Sequence, residues 1–233
     1  MKIQKSDKIL IVAPHADDET IGAGGLLSRY GKQCDVWLIT DGRKGNTPDA
    51  KYTEDELIAE RKKEFRRVMD YFNVRDYVFL GLTDGNASSE IHKIYSRDIR
   101  DYNYIFVPNR SENHPDHLAV YNALIKMKKK QRAKGDMVEY EVWTPLQFPN
   151  VYLPITDVME NKKKALSFYE SQLETVDYVD MAESLNRYRG FTSNEKYREA
   201  YYSHKKNYLN RKNSIATAMP KPLISLISKL LHK

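Results

Sequence analysis

Two short runs of the chain concentrate side chains that bind metals and move protons. Pro14-His15-Ala16-Asp17-Asp18-Glu19 sets an imidazole beside three carboxylates, and His114-Pro115-Asp116-His117 adds two imidazoles and another carboxylate. Imidazole nitrogen and carboxylate oxygen suit zinc and its first-row neighbours. Two histidines and one carboxylate leave coordination positions open for water and substrate, as a catalytic site requires, whereas a structural zinc site fills its positions with protein ligands. Cys34 is the single cysteine, so neither a closed thiolate site nor an internal disulfide is available, which fits a reducing cytosol. Loop acids and histidines without a function are the competing reading. Two dense clusters weigh against it in a way that one lone histidine would not.

The elements that must position these clusters alternate. Residues 8–13 form a short apolar run rich in Ile and Val, stopped by Pro14, and predict a buried strand. Residues 20–30 read as a helix closed by Gly31 as C-cap. Residues 35–40 predict a second strand, and the Gly-, Asn-, Pro- and Asp-bearing residues 42–51 a loop. A helix over 53–72 opens with a capping box of Thr53 and Glu56. Strands at 77–80, 104–107 and 138–143 and helices at 91–100 and 118–130 complete the pattern. Strands alternating with helices indicate an α/β, Rossmann-like doubly wound and mostly parallel sheet. In such sheets sites form at the C-terminal strand ends, and the polar clusters follow Ala13, Thr40, Leu80 and Val107. After about residue 150 the pattern predicts a helical, Tyr-rich portion, with no linker dividing the 233 residues, hence a single domain over 1–233.

Lys and Arg number 38 against 32 Asp and Glu, a net charge of +6 that a solvated basic surface explains. No stretch approaches the ~20 apolar residues of a transmembrane helix, and the N-terminal run lacks a signal-peptide cleavage pattern. The expected location is therefore cytoplasmic.

The ordered set of motifs resembles the PIG-L/LmbE-like family of N-acetylglucosaminide deacetylases. Its first motif reads Ala-His-Pro-Asp-Asp-Glu, and its second is His-x-x-His in a His-Pro-Asp-His setting. Thr40-Asp41-Gly42, the spacing of Arg61 and Glu64, Leu80-Gly81-Leu82-Thr83-Asp84-Gly85, and Lys164-Ala165-Leu166 with Ser171-Gln172 resemble further family segments. Ala16 stands where the family usually has proline. Glu112 occupies a place where some members have a tyrosine near the substrate. The resemblance implies His15, Asp18 and His117 as metal ligands, with zinc as cofactor and Fe2+ or Co2+ as alternatives. It implies Asp17 as general base, His114 as stabiliser of the tetrahedral intermediate (as a cation, if protonated), and Arg61 and Asp84 as substrate-binding. The implied partner is an amino-sugar glycoconjugate that loses its N-acetyl group. Glu19 is either an orienting acid behind a ligand or an acid favoured by a helix N-terminus. The rivals are a deacylase of another N-acyl amine and a non-catalytic glycan-binding module.

Other signals are weaker. Gly22, Gly24 and Gly25 follow an acidic run that would repel a pyrophosphate, so close helix packing is the better reading. The lysine-rich run ending the helix near residue 130 has no accompanying nucleic-acid motif, and no nucleic-acid partner is expected. Leu223, Ile224, Leu226, Ile227, Leu230 and Leu231, with lysines alongside, predict an amphipathic helix over 220–233. Such a helix could lie on the inner face of an anionic membrane, pack on its own domain or pair with another subunit. The oligomeric state stays open.

Overall fold

The computed structural model describes residues 1–45 and 51–205. The segment 220–233, with its amphipathic pattern, lies outside the described residues.

Chain order begins with β1 (Ile9–Ala13), α1 (Asp18–Tyr30), β2 (Cys34–Thr40), α2 (Glu54–Tyr71) and β3 (Asp76–Leu82). It continues through α3 (His92–Tyr95), β4 (Tyr104–Pro108), α4 (Pro115–Gln131) and β5 (Asp136–Tyr140). The last part holds β6 (Val151–Pro154), α5 (Met159–Leu166), α6 (Glu170–Leu173), α7 (Tyr178–Phe191) and β7 (Arg198–Ser203). The strands form one sheet in the order β3-β2-β1-β4-β5-β7-β6. β1 to β5 pair in parallel, and β7 runs antiparallel to both β5 and β6.

β1 is buried on both faces, which is why it reads as an unbroken apolar run. Ile9 and Ile11 join a core with Leu26, Phe65, Val68 and Leu166 from α1, α2 and α5. Leu10 and Val12 face the opposite core, with Val120, Leu124 and Met127 of α4. Helices on both faces make the doubly wound α/β fold that the alternating pattern predicts.

Local chemistry sets the helix ends. Thr53 and Glu56 form the reciprocal capping box of α2. Gly31 does follow α1, but in right-handed helical geometry. A side chain there would meet the Phe72 carbonyl oxygen at 1.9 Å, so close approach selects glycine at this position rather than a left-handed cap. Gly22 and Gly25 lie against Tyr140 and Ile155, with clashes of 2.2 and 2.3 Å for an added Cβ. These glycines serve packing, as expected.

Two expectations fail. Residues 91–100 hold only the short α3, because the Asp98 carboxylate accepts the Arg100 amide and Gln131 takes the Ile99 amide. The C-terminal portion is not purely helical, since β6 and β7 extend the sheet antiparallel. β7 was hidden by its polar sequence: Glu199 is buried against Lys162 of α5, whose amine donates to it at 2.8 Å.

Candidate metal centre

β1 and β4 are neighbours, yet the chain leaves them toward opposite edges of the sheet. Their C-terminal ends therefore border a crevice at the topological switch point. The turn after β1 carries His15 and Asp17 and leads to Asp18 at the start of α1, and the loop after β4 carries His114 and leads to His117 in the first turn of α4.

Thr40 of β2 fixes the first loop, its amide and hydroxyl both donating to the Pro14 carbonyl at 2.9 and 2.8 Å. Asp17 has φ 126° and ψ −33°, a region that L residues rarely enter. Such a backbone costs on the order of 1–3 kcal/mol and persists only where the surroundings enforce it. Here the Thr20 and Ile21 amides donate to the Asp17 carbonyl at 2.9 and 2.8 Å. Arg61 of α2 donates to the Ala16 carbonyl at 2.8 Å. The Asp17 amide donates to the Glu19 carboxylate at 3.2 Å, and Glu19 is pinned in turn by the Thr20 and Tyr169 hydroxyls at 2.5 and 2.6 Å. Glu19 thus holds the backbone of its neighbour.

The second loop is built by capping. His114 is the N-cap of α4 in ordinary extended geometry, and its Nδ1 accepts the Asp116 amide at 3.2 Å. Pro115 occupies the first turn, where its missing N–H costs nothing.

The loops bring three donor atoms into a triangle. His15 Nδ1 lies 3.3 Å from Asp18 Oδ2 and 3.2 Å from His117 Nε2. Asp18 Oδ2 lies 3.1 Å from His117 Nε2. Three donors each about 2.0 Å from a shared tetrahedral ion stand about 3.3 Å apart, and the separations here are at or slightly inside that value, so the set suits a first-row cation after a small outward shift. Two other groupings also gather ligand-type atoms: His15 with His114 and His117, and His15 with Asp84 and Asp116. In the first, the Nδ1 of His114 is already engaged by the Asp116 amide. The second uses the other nitrogen of His15, whose Nε2 is 3.2 Å from Asp84 and 3.3 Å from Asp116. Both carboxylates already accept backbone amides, from Lys44 for Asp84 and from Gly85 and Ala87 for Asp116. That geometry suits acids orienting a ligand histidine. Asp18 Oδ2 likewise accepts a backbone amide, that of His15 at 2.9 Å, so what sets the triangle apart is that its two imidazole nitrogens and one carboxylate oxygen all lie within 3.3 Å of one another. Behind it, Glu112 Oε2 sits 3.7 Å from His117 Nδ1, and both buried atoms lack a hydrogen-bond partner.

Charge separates the two adjacent aspartates. For Asp18, burial opposes ionisation, but His117 and His15 outweigh it and hold the carboxyl well below its usual range. For Asp17, burial pushes the carboxyl well above that range, with Arg61 opposing and Asp18 and Glu19 adding. Environments that drive two neighbouring acids apart mark a division of roles. Burial works against a charge on His15, yet Asp116, Asp18 and Asp84 overcome it and raise the imidazole well above its usual value. His114 is lowered, first by burial and then by His15 and His117. Asp84 falls to about 2; burial opposes this, and His15 and the Lys44 amide prevail.

All seven residues expected from the sequence meet here. His15, Asp17, Asp18, Arg61, Asp84 and His114 line a cleft of about 400 Å³, with His117 fully buried behind it. Arg61 also donates to Gly42 O at 3.1 Å and reaches Asp17 Oδ2 at 3.4 Å. Other members have no role assigned from the sequence. Asp116 lies in plain view inside the second histidine motif, Glu112 stands out only as a departure from the family pattern, Tyr178 is one of many tyrosines, and Trp143 carries no local signal.

The family model described as GlcNAc-PI de-N-acetylase (PIG-L) matches residues 10–128. Diacetylchitobiose deacetylase of Thermococcus kodakarensis is 27% identical over 187 residues, covering 71% of this chain and 70% of its own. A probable N-acetyl-alpha-D-glucosaminyl L-malate deacetylase 2 of Bacillus cereus is 28% identical, covering 72% and 84%. Among solved structures, N,N'-diacetylchitobiose deacetylase from Pyrococcus horikoshii superposes with a TM-score of 0.72 at 22% identity, covering 85% of this chain and 84% of its own. At that identity the likeness establishes the fold.

Proposed function

The chain belongs to the PIG-L family, and from that membership we propose that it is a metal-dependent hydrolase removing the N-acetyl group from an N-acetylglucosamine-containing glycoconjugate. The observation carrying this reading is the donor triangle of His15, Asp18 and His117 beside a cleft that Asp17 also lines. The deacetylases of chitobiose and of the GlcNAc–malate conjugate among its relatives support the substrate class.

His15, Asp18 and His117 would hold the ion, with zinc favoured by the donor types and iron(II) or cobalt as alternatives. When bound, such an ion supplies Lewis acidity to the amide carbonyl and lowers the pKa of water. Asp17 stands outside the triangle, and burial raises its carboxyl above the usual range, which makes it a stronger base than an exposed aspartate. It takes the proton of the attacking water and returns one to the sugar nitrogen as the carbon–nitrogen bond breaks. Acetate and a free amino sugar leave. His114 acts as a neutral donor rather than as a cation: its Nδ1 accepts the Asp116 amide, which puts the ring proton on Nε2. That N–H stabilises the developing oxyanion. Arg61 and Asp84 hold the substrate in the cleft while also bracing Ala16 and His15.

The test is acetate release from a panel of N-acetylglucosamine conjugates, with metal-free protein and again after zinc is added. Zinc-dependent release from one class is expected. Release only from other N-acyl amines would replace the sugar assignment, and stoichiometric zinc binding without release from any substrate would overturn the hydrolase in favour of a glycan-binding module. Among the described residues no helix is long and apolar enough to cross a membrane. A cytoplasmic enzyme held at the inner membrane face by residues 220–233 would suit a lipid-linked sugar. Loss of vesicle binding on deleting that segment is the check.

A further inference from the structure

The cleft is lined by the polar Asp17, Arg61, Asp84 and His114 and also by the aromatic Trp143 and Tyr178. Trp143 is 45% exposed. Among the described residues it is the one large exposed hydrophobic side chain that lines this cleft. Its ring meets Tyr178 edge-on, with centroids 5.7 Å apart and planes at 66°. Tyr178, the first residue of α7, is nearly buried and so backs the indole without covering it.

An exposed tryptophan on a slack loop would need no explanation, but this loop is tied down on both sides of the residue. Glu112 Oε1 accepts the Val142 amide at 3.3 Å and the Thr144 amide at 3.1 Å. Asn109 donates to the Thr144 carbonyl at 2.7 Å. Both anchors are buried and belong to the loop that leads through His114 into α4 and His117. The backbone on both sides of Trp143 is therefore anchored to the segment leading into His114, while the indole, in contact with Tyr178, stays partly exposed. Rigid aromatic surface of this kind gives contact area at low entropic cost. Its match in a sugar is the C–H face of a pyranose ring, and groups able to bind sugar hydroxyls line the same cleft.

We propose that Trp143, backed by Tyr178, is the stacking platform for a second pyranose ring, the one linked to the amino sugar whose amide is cut. This rests on the deacetylase reading and narrows its substrate to a disaccharide or longer glycan. The amide of the first ring reaches the triangle while the neighbouring ring lies on the indole.

The chain's two tryptophans allow a direct test, because Trp37 is 2% exposed and Trp143 reports alone on the cleft. Zinc-supplemented full-length Asp17→Asn protein, which holds substrate without turning it over, is titrated with N,N'-diacetylchitobiose and with N-acetylglucosamine. Tryptophan emission and calorimetry are followed. A saturable emission change is expected, with the disaccharide about tenfold tighter, as one stacked ring supplies. Adding Trp143→Ala should bring the ratio of the two dissociation constants toward one. Adding Trp143→Phe should keep the ratio and abolish the emission change. Equal affinities in the parent, or a Trp143→Ala variant that weakens both sugars alike, would overturn the platform and leave the deacetylase reading standing. A Trp143-dependent preference without acetate release by the unsubstituted enzyme would overturn that reading and keep the platform. Binding of neither sugar would overturn both.

Discussion

The two loops that meet at the switch point solve one problem in opposite ways. After β4, His114 caps α4 with its own side chain in relaxed geometry, so local rules of helix initiation fix the residue. After β1, Asp17 begins α1 with no side-chain cap and a strained backbone. It is held by Arg61 from α2 and, through Glu19, by Tyr169, which lies 150 residues beyond Glu19. A donor can be positioned locally, whereas a buried acid kept free of the ion needs enforcement from several elements.

Substitutions can break that contrast. The largest effect is expected at Asp17: Asp17→Asn should lower kcat by about 10²–10⁴ while zinc still binds, and His15→Ala should lose both metal and turnover. Near-normal turnover of Asp17→Asn, with metal content measured alongside, would remove Asp17 from its role. The strain itself can be read by comparing Asp17→Gly with Asp17→Ala. The glycine variant should be more stable by about 1 kcal/mol in thermal unfolding, since only glycine enters this backbone region freely.

His114 sharpens the comparison, because cap and donor can be separated. His114→Ala should lose about 10² or more in kcat and about 1 kcal/mol of stability. His114→Asn should recover the stability, asparagine being a good N-cap, without recovering turnover. Recovery of both would reduce His114 to a cap.

The smallest effect concerns pH. In metal-free protein His15 and Asp17 both have raised folded values. Raised groups contribute fully below their unfolded pKa values and lose that contribution as pH rises through the folded ones. The Asp18 contribution changes only on the acid side, because its folded value is depressed. The metal-free melting temperature should therefore fall as pH rises from about 4, the unfolded carboxylate value, through neutrality. Zinc affinity should rise over the same range as the His15 proton is released. A metal-free melting temperature that climbs from pH 5 to 8 would contradict these assignments.

Much of this was legible beforehand. β1 announces itself because both faces are buried, α2 because its capping box is local, and the metal cluster because histidine and aspartate crowd two strand ends. What stayed hidden depends on distant partners. Glu112 looks like a loop acid, yet its carboxylate spends its bonds on amides 30 and 32 residues later. β7 looks like surface because its Glu199 is neutralised by a lysine from another helix. Trp143 gains meaning only when α7 folds back to place Tyr178 beneath it.

One of those hidden bonds has a consequence for the order of assembly. α1 breaks at Ala23, where φ is −141°, and the Gly25 and Leu26 amides donate to Glu199 at 2.7 and 3.0 Å. Glu199 lies 174 residues beyond Gly25. At a synthesis rate of about 5–20 residues per second, the acceptor emerges from the ribosome roughly 9–35 s after the donors it completes. The N-terminal strands can pair in that interval, but the hydrogen bonds that hold α1 at its break to β7 form only once Glu199 has emerged. A partly made chain therefore carries the donor triangle's residues before the strand that seats α1 has been synthesised.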